Sequence, residues 1–257
     1  SQSTHGPHAA SLEDMWQVGI EIAKRAGGDR GCIPLSGPDT PPEPAKPARV
    51  IVLETEGWPE IDDATRSVFE TLMERLAASG VRLIRRKDHP LVEALEQSIA
   101  NGRHVSGSIT AFENRWMQSN LVRTHGNMVS ARARNIVAKA ERMTVAEYQA
   151  LLSERHVAQQ RHMALAGVAD AMVTLSCPGP APFWSGDKPG EPLAPRPTGD
   201  YVFNAGSSML FAPAVTMPLM SVGGLPVGAQ FIGQQHDDAK ITGFARWMTE
   251  AIEPVAG

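Results

Sequence analysis

Serine and lysine side chains that could perform nucleophilic chemistry stand close together at one place in this sequence. Ser185 and Lys188 have the S-x-x-K spacing that penicillin-recognising enzymes use for a nucleophile and its base. That chemistry needs the serine at a helix start, with the lysine one turn later on the same face. Prolines and glycines surround the pair and predict a loop, so we interpret the pattern as a chance match. A second serine pair, Ser207 and Ser208, follows Gly206 and is another nucleophile candidate.

Side chains that could bind a metal do not form a ligand set. His5 and His8 are three residues apart. His156 and His162 are six apart, a spacing that puts their rings on different faces of a helix. No cysteine or carboxylate completes either pair, so we predict no metal site and interpret the histidines as solvated or helix-capping residues. Cys177 precedes a proline and could face a cleft, but no base is paired with it, and we expect a buried thiol.

The sequence predicts no cofactor. Gly223, Gly224 and Gly228 lack the spacing of a dinucleotide-binding fingerprint and join two predicted strands instead. Three apolar residues at helical spacing are expected to pack in a core rather than to bind a cofactor: Trp116, Met117 and Leu121.

Composition limits the class of protein and its partners. The chain has 257 residues, of which 42% are hydrophobic and 20% are charged, which is enough for one large globular domain. A net charge of −4 without a basic stripe argues against nucleic acid and against a membrane surface as partners. No apolar run approaches the roughly 20 residues of a membrane helix. Cys32 and Cys177 lie far apart, which fits a reducing compartment and predicts a cytoplasmic protein.

Apolar runs and helix-start residues alternate along the chain. Residues 49–54 form a buried-strand pattern, and Asp62 and Asp63 then place negative charge at a helix start. Gly80 ends that helix, and a second strand follows at 81–85. Strand, helix and strand form a βαβ unit, which predicts parallel pairing. Three more strands are predicted, at 172–175, 214–219 and 227–232.

Helix caps and proline-rich segments organise the remaining residues. The segments 11–14 and 144–147 are capping boxes, in which a serine or threonine precedes an acidic residue by three positions. The pattern is mostly helical over 90–167. A proline-rich connection covers 34–47, and the loop predicted at 178–199 is long enough to be functional or disordered.

Three blocks, in matching order and spread over nearly the whole chain, resemble the amidase signature family. They are residues 6–15, residues 170–182, and the predicted hairpin formed by 211–219 and 223–233 with the closing helix that follows it. Members use a Ser–Ser–Lys triad to hydrolyse carboxylic amides to an acid and ammonia or an amine. Glutamine-hydrolysing amidotransferases are among their relatives. The resemblance implies an α/β fold with a mixed twisted β-sheet flanked by helices on both faces. Residues 1–257 would form a single partial domain, the C-terminal part.

The triad of the family has no counterpart in this sequence. The family's nucleophile lies in a Gly/Ser-rich segment and its lysine precedes that segment, whereas this chain resembles only the part of the family's domain that lies after the nucleophile. We therefore expect this chain to contain no catalytic residue and to be inactive when isolated. We expect its partner to be the missing N-terminal half of the domain. The resemblance is also compatible with a homodimer. It places Gly206, Ser207 and Ser208 in a structural helix. The alternative is a non-catalytic scaffold or binding protein, or a decayed gene fragment, derived from an amidase.

Five residues are predicted to shape the site for a small-molecule amide. Tyr201, Phe203 and Asn204 precede the hairpin at a position where the family lines its pocket, and Gly179 and Pro180 lie on a loop that the family directs at the cleft. The alternative interpretation is that these residues only pack the loops together.

Overall fold

The computed structural model describes residues 6–28, 34–186 and 199–257. Within them the chain forms eight α-helices and six β-strands. In chain order these are α1 Leu12–Ala26, β1 Arg49–Val52, α2 Asp63–Ala78, β2 Arg82–Ile84, α3 Pro90–Ile99, α4 Gly102–His125, α5 Ala131–Arg142, α6 Val145–Met163, β3 Ala171–Leu175, α7 Val202–Met209, β4 Ala214–Val222, β5 Leu225–Ile232, α8 Asp238–Ala251 and β6 Val255–Ala256.

Three of the residues considered above, His5, Cys32 and Lys188, lie outside the described residues, as does the part of the predicted loop 178–199 that runs from 187 to 198. The Ser185–Lys188 pattern therefore has no described geometry.

Local side-chain chemistry explains where the helices begin. Ser11 and Asp62 cap α1 and α2 with side-chain oxygens that accept the N–H three residues later, at 3.1 and 2.6 Å. At α6, Thr144 Oγ1 accepts the Glu147 N–H at 3.2 Å while the Glu147 carboxylate accepts the Thr144 N–H at 2.7 Å. Each cap satisfies donors that the first helical turn leaves free. The predicted helix starts are confirmed.

The six strands form one mixed sheet in the order β2-β1-β3-β5-β4-β6. Strand β1 is parallel to β2, as the βαβ unit predicts, and also to β3, whereas β5 is antiparallel to β3 and β4. Gly223 and Gly224, with φ of 56° and 77°, form the turn between β4 and β5 because glycine adopts positive φ without steric cost. The two residues of β6 carry no strand pattern, and this strand was not predicted.

Helices cover both faces of the sheet, and each face has its own hydrophobic cluster. Val50 and Val52 of β1 lie in one cluster. Ile51 and Leu53 lie in the other, because successive strand residues point to opposite faces. The first cluster includes Phe69, Leu72, Phe203, Phe231 and Met248. The second includes Leu95, Ile99, Ile109, Leu151 and Met172. The predicted α/β architecture with helices on both faces is confirmed.

The prediction that Trp116, Met117 and Leu121 pack in a core is wrong. Their exposed fractions are 81%, 60% and 48%, and Met128 in the turn after α4 is 87% exposed. The buried residues of α4 all lie between Gly102 and Phe112, so the second half of the helix extends beyond the core. Helical spacing identifies an apolar surface but not whether another element covers it. We call Trp116, Met117, Leu121 and Met128 the apolar α4 surface.

The prediction of a solvated or capping role is wrong for His162. Its side chain is 1% exposed at the end of α6, and its backbone carbonyl accepts a hydrogen bond from Gln234 Nε2 at 2.9 Å. Burial lowers the pKa of His162 to about 4, although a hydrogen bond with the Gly233 backbone opposes the shift. The imidazole is therefore neutral in the folded protein at neutral pH.

Within the described residues, no helix combines the length and the apolar character that crossing a membrane requires.

We expect His162 to make folding stability fall in mild acid. Its pKa is about 6.5 in the unfolded chain and about 4 in the folded protein, so between these pH values only the unfolded state binds the proton. Stability should be full above pH 6.5 and fall by at most about 3 kcal/mol as pH drops through this window. Urea unfolding in a pH series should show this slope for the wild type and a shallower one for His162→Gln.

The control is His104→Gln, because His104 is exposed on α4. It should keep the wild-type slope. An unchanged slope in His162→Gln would contradict the assignment of the neutral buried imidazole.

Candidate functional site

Two neighbouring parallel strands, β1 and β3, end at the same edge of the sheet. The segments after them, 53–57 and 176–182, therefore leave the sheet side by side. In open α/β sheets the carboxyl ends of parallel strands are where ligands bind, because loops there enclose a crevice. Helix α7 begins beside these segments, and three of the five predicted site residues lie at its start.

An amide network joins the start of α7 to the end of β3. Asn204 Nδ2 donates to the Ser176 carbonyl at 2.9 Å. Gln230 Nε2, on β5, donates to the Leu175 carbonyl at 3.0 Å and to Asn204 Oδ1 at 3.2 Å. Gln230 is 2% exposed, so these two bonds satisfy a buried amide that water cannot reach. The network fixes three elements, β3, β5 and α7, relative to one another.

Close packing holds Ser176 beside β5. Its hydroxyl donates to the Gly228 carbonyl at 3.1 Å, and a Cβ at position 228 would collide with that hydroxyl. Only glycine allows this approach. The adjacent Cys177 is half-buried rather than fully buried as expected.

Arg103, at the start of α4, connects the loop after β1 to the residues before α7. Its guanidinium pairs with Glu60, and lies 3.8 Å from the Glu56 carboxylate and 3.6 Å from that of Asp200. Its backbone N–H donates to Glu56 Oε1 at 2.5 Å, and its carbonyl accepts the Tyr201 hydroxyl at 3.1 Å. Burial raises the pKa of Glu56, and Arg103 opposes this shift. Three carboxylates around one guanidinium give this side of the site a negative field.

Glu96 holds the turn after β1. Its carboxylate is 3% exposed and accepts the N–H groups of Glu54 at 2.6 Å and Thr55 at 2.9 Å. Burial raises the pKa of Glu96, while the two N–H groups and the positive charge of Arg86 oppose the shift. Thr55 has a φ of 59°, which is unusual for a β-branched residue.

The five predicted site residues lie at this edge, but they differ in accessibility. Asn204 is exposed, and Tyr201, Gly179 and Pro180 are half-buried. Gly179 lies against the start of α2, since a Cβ there would be 3.2 Å from Thr65 Oγ1. Phe203 is fully buried in the core, so its ring can act on a substrate only by positioning its neighbours.

Sequence reasoning missed Glu96, Arg103 and Gln230, although two of them carried a detectable pattern. Glu96 occupies an i, i+4 position on the apolar stripe of α3 that Val92 begins, and Gln230 interrupts an otherwise apolar strand. A polar residue at a position that demands burial indicates a buried partner. Arg103 offered no such pattern.

The lysines of the described residues are not placed for general-base chemistry. All five are exposed, namely Lys24, Lys46, Lys87, Lys139 and Lys240. A lysine accepts a proton at neutral pH only when burial or a neighbouring charge lowers its pKa. The described side chains at this edge therefore offer hydrogen bonds and shape rather than an activated nucleophile.

A separate shallow cavity of about 230 Å³ lies between α3 and α6. It is lined by Leu91, Ala94, Val157, Gln160, Arg161 and Ala164. It contains no serine, cysteine or histidine and lies away from the ends of β1 and β3, so the strand-end edge remains the candidate site.

Comparison with known proteins gives a family match and several fold matches. The Amidase family model matches residues 1–242. A crystal structure of an amidase superposes with a TM-score of 0.66 at 19% identity, over 82% of this chain and 47% of that one. Allophanate hydrolase from Kluyveromyces lactis gives 0.63 at 17% identity, over 95% of this chain and 39% of that one. A glutamyl-tRNA(Gln) amidotransferase chain from Thermotoga maritima gives 0.50 at 19% identity, over 80% and 44%.

The chain therefore spans less than half the length of the solved structures that it matches. Comparison with curated proteins gives no match.

We expect Gln230→Leu to destabilise the fold by about 1–3 kcal/mol, because the Leu175 carbonyl and Asn204 Oδ1 would lose a buried donor. Gln97→Leu is the matched control. Gln97 is exposed on α3 and donates only to Glu93, so its replacement should cost less than about 0.5 kcal/mol. Urea unfolding measures both. Equal losses would show that the amide network adds nothing to stability.

Proposed function

This chain belongs to the amidase family, and from that premise we propose that it forms the C-terminal part of an amidohydrolase. The complete enzyme would hydrolyse a carboxylic amide to an acid and ammonia or an amine. The observation that carries the proposal is the family match over residues 1–242. An amidase-like fold with a polar edge at the ends of β1 and β3 supports it.

The chain's contribution would be one wall of the substrate cleft. Asn204 is exposed at the strand-end edge, and Tyr201 lies about one helical turn before it, against the backbone of Arg103. Gly179 and Pro180 lie on the segment after β3 at the same edge. The amide network holds Asn204 on β3, so this wall would be rigid before substrate binds, which lowers the entropic cost of binding.

The Ser–Ser–Lys chemistry would lie upstream, in residues absent from this chain. A serine hydroxyl is a weak nucleophile at neutral pH and needs an adjacent base. The exposure of all five described lysines argues against such a base here. Ser207 lies on α7 and its hydroxyl donates to the Asn204 carbonyl at 3.1 Å, which is a structural bond rather than an activating one.

The apolar α4 surface would be covered by the other half of the domain. Trp116 and Met128 are the most exposed of its four residues, and no residue of α4 beyond Phe112 is buried. Four large exposed apolar side chains in one stretch of chain favour association. Strand β2 also has β1 as its single neighbour among the described strands, so its outer edge is open to pairing.

The first test is complementation. The chain alone should turn over no aliphatic or aromatic amide and should associate through its uncovered surface. Co-expression with the N-terminal half of an amidase domain should give a monodisperse assembly with turnover. Leu121→Ser should weaken that assembly about tenfold or more, since burying a leucine contributes about 1.5–3 kcal/mol. Light scattering and an amide panel measure these outcomes.

Leu225→Ser is the matched control, because Leu225 is 46% exposed, close to the 48% of Leu121, but lies beside the β4–β5 turn. It should assemble normally. A monodisperse chain without dye-binding apolar surface would contradict the proposal and favour a self-sufficient scaffold. Turnover by the chain alone that disappears in Ser185→Ala or Ser207→Ala would place the nucleophile here instead.

The second test concerns the cleft wall. In the complemented enzyme, Tyr201→Ala and Asn204→Ala should change the ratio of kcat/KM between bulky and small amides by about 10-fold, as changes in pocket contacts do. Ser207→Ala, on the same helix as Asn204, should leave the ratio unchanged. Wild-type ratios in both cleft variants would mean that these residues do not face the substrate.

A further inference from the structure

The turn after β1 contains a backbone conformation that needs support. Thr55 has a φ of 59° and is 8% exposed. Its Cβ carries two heavy atoms, so the left-handed region is sterically unfavourable for it. Such conformations persist only where the surroundings enforce them, and they concentrate at functional sites.

Glu96 supplies that support through two bonds to successive backbone groups. One carboxylate oxygen accepts the Glu54 N–H at 2.6 Å and the other accepts the Thr55 N–H at 2.9 Å. The carboxylate is 3% exposed, so its desolvation is costly and must be offset by these bonds and by nearby Arg86. An apolar residue would pack better at this position of α3. A glutamate is needed here because its carboxylate binds the backbone N–H groups of the turn.

The turn lies directly against the helix that carries the proposed cleft residues. Thr55 Oγ1 accepts the Gly57 N–H at 3.2 Å. A Cβ at Gly57 would lie 2.8 Å from both Phe203 and Val202, so the backbone of the turn packs on the first residues of α7. The Thr55 methyl group also approaches α7, at 3.9 Å from where a Cβ of Gly206 would lie. A change in the turn must therefore move the start of α7.

We propose that Glu96 is a positioning residue for the amide site: it holds Thr55 in the left-handed conformation and thereby fixes where the start of α7 presents Tyr201 and Asn204. This inference rests on the proposed function for its consequence in catalysis. Glu96 does not touch substrate, and its effect passes through the turn and α7. A glutamine in its place would offer one acceptor and one donor to two N–H groups, so one bond would be lost.

The test uses the complemented enzyme and three variants: Glu96→Gln, Thr55→Gly and the double variant. Glu96→Gln should raise KM for a bulky amide by about 10-fold and change kcat by less than about threefold, because a displaced wall weakens binding of substrate and transition state alike. Glycine adopts positive φ without strain, so the double variant should return KM to within about threefold of the wild type. Thr55→Gly alone also loses the Oγ1 bond to Gly57, so it is the reference for the double variant: adding Glu96→Gln to it should raise KM by less than about threefold.

Hydrogen exchange of the Glu54 and Thr55 amides is the second readout and needs no turnover. Glu96→Gln should accelerate it, whereas Glu74→Gln, an exposed matched substitution on α2, should not. If Glu96→Gln does not fold, Glu96→Asp replaces it, because the shorter carboxylate cannot reach both N–H groups.

If KM of the double variant stays as high as that of Glu96→Gln, Glu96 acts only in packing, and the proposal is overturned. Unchanged exchange in Glu96→Gln would overturn it as well. Absence of turnover in the wild-type assembly would overturn the proposed function instead, with the exchange result still deciding whether Glu96 holds the turn.

Discussion

Strand β3 lies between a parallel and an antiparallel neighbour and is buried along its whole length, and the other elements are arranged around it. Asp170 fixes its start, since one carboxylate oxygen accepts the N–H groups of Ala48 and Arg49, both at 2.8 Å. Its side chains alternate between the two hydrophobic clusters, with Val173 in one and Met172 in the other. A strand that is covered on both faces requires helices on both sides, which gives the α/β layers their order.

The candidate site is a consequence of how that strand ends. The Ser176 N–H still donates to the Gly228 carbonyl of β5 at 2.9 Å, but the carbonyls of Leu175 and Ser176 take their donors from side chains. Gln230 and Asn204 supply them, so the same bonds that satisfy the backbone also attach α7 to the sheet. Glu96 does the equivalent for the turn after β1. Stability and site geometry therefore depend on the same few polar groups, and a change in one affects the other.

The fold gives this chain a well-ordered edge at the ends of β1 and β3. The parallel strands end where ligands bind, but the described side chains there accept and donate hydrogen bonds rather than abstract protons. Trp116, Met117, Leu121 and Met128 are exposed, and β2 has a strand neighbour on one side only among the described strands. These features support the proposal that the chain is one part of a larger amide-hydrolysing domain.

The sequence by itself determined the starts of α1, α2 and α6, the hairpin and the strands of the sheet except β6, because caps, alternation and paired glycines act within a few residues of each other. It assigned Asn204 and Gly179 to a substrate site only through a resemblance, and that assignment stays a prediction. The hydrogen-bond partners of Gln230 and Glu96 lie 55 and 41 residues away in the chain. No local sequence pattern identifies those partners. The burial of His162 and the exposure of Trp116 also depend on contacts between distant segments. Each depends on which distant element packs there, and only the tertiary structure brings such elements together.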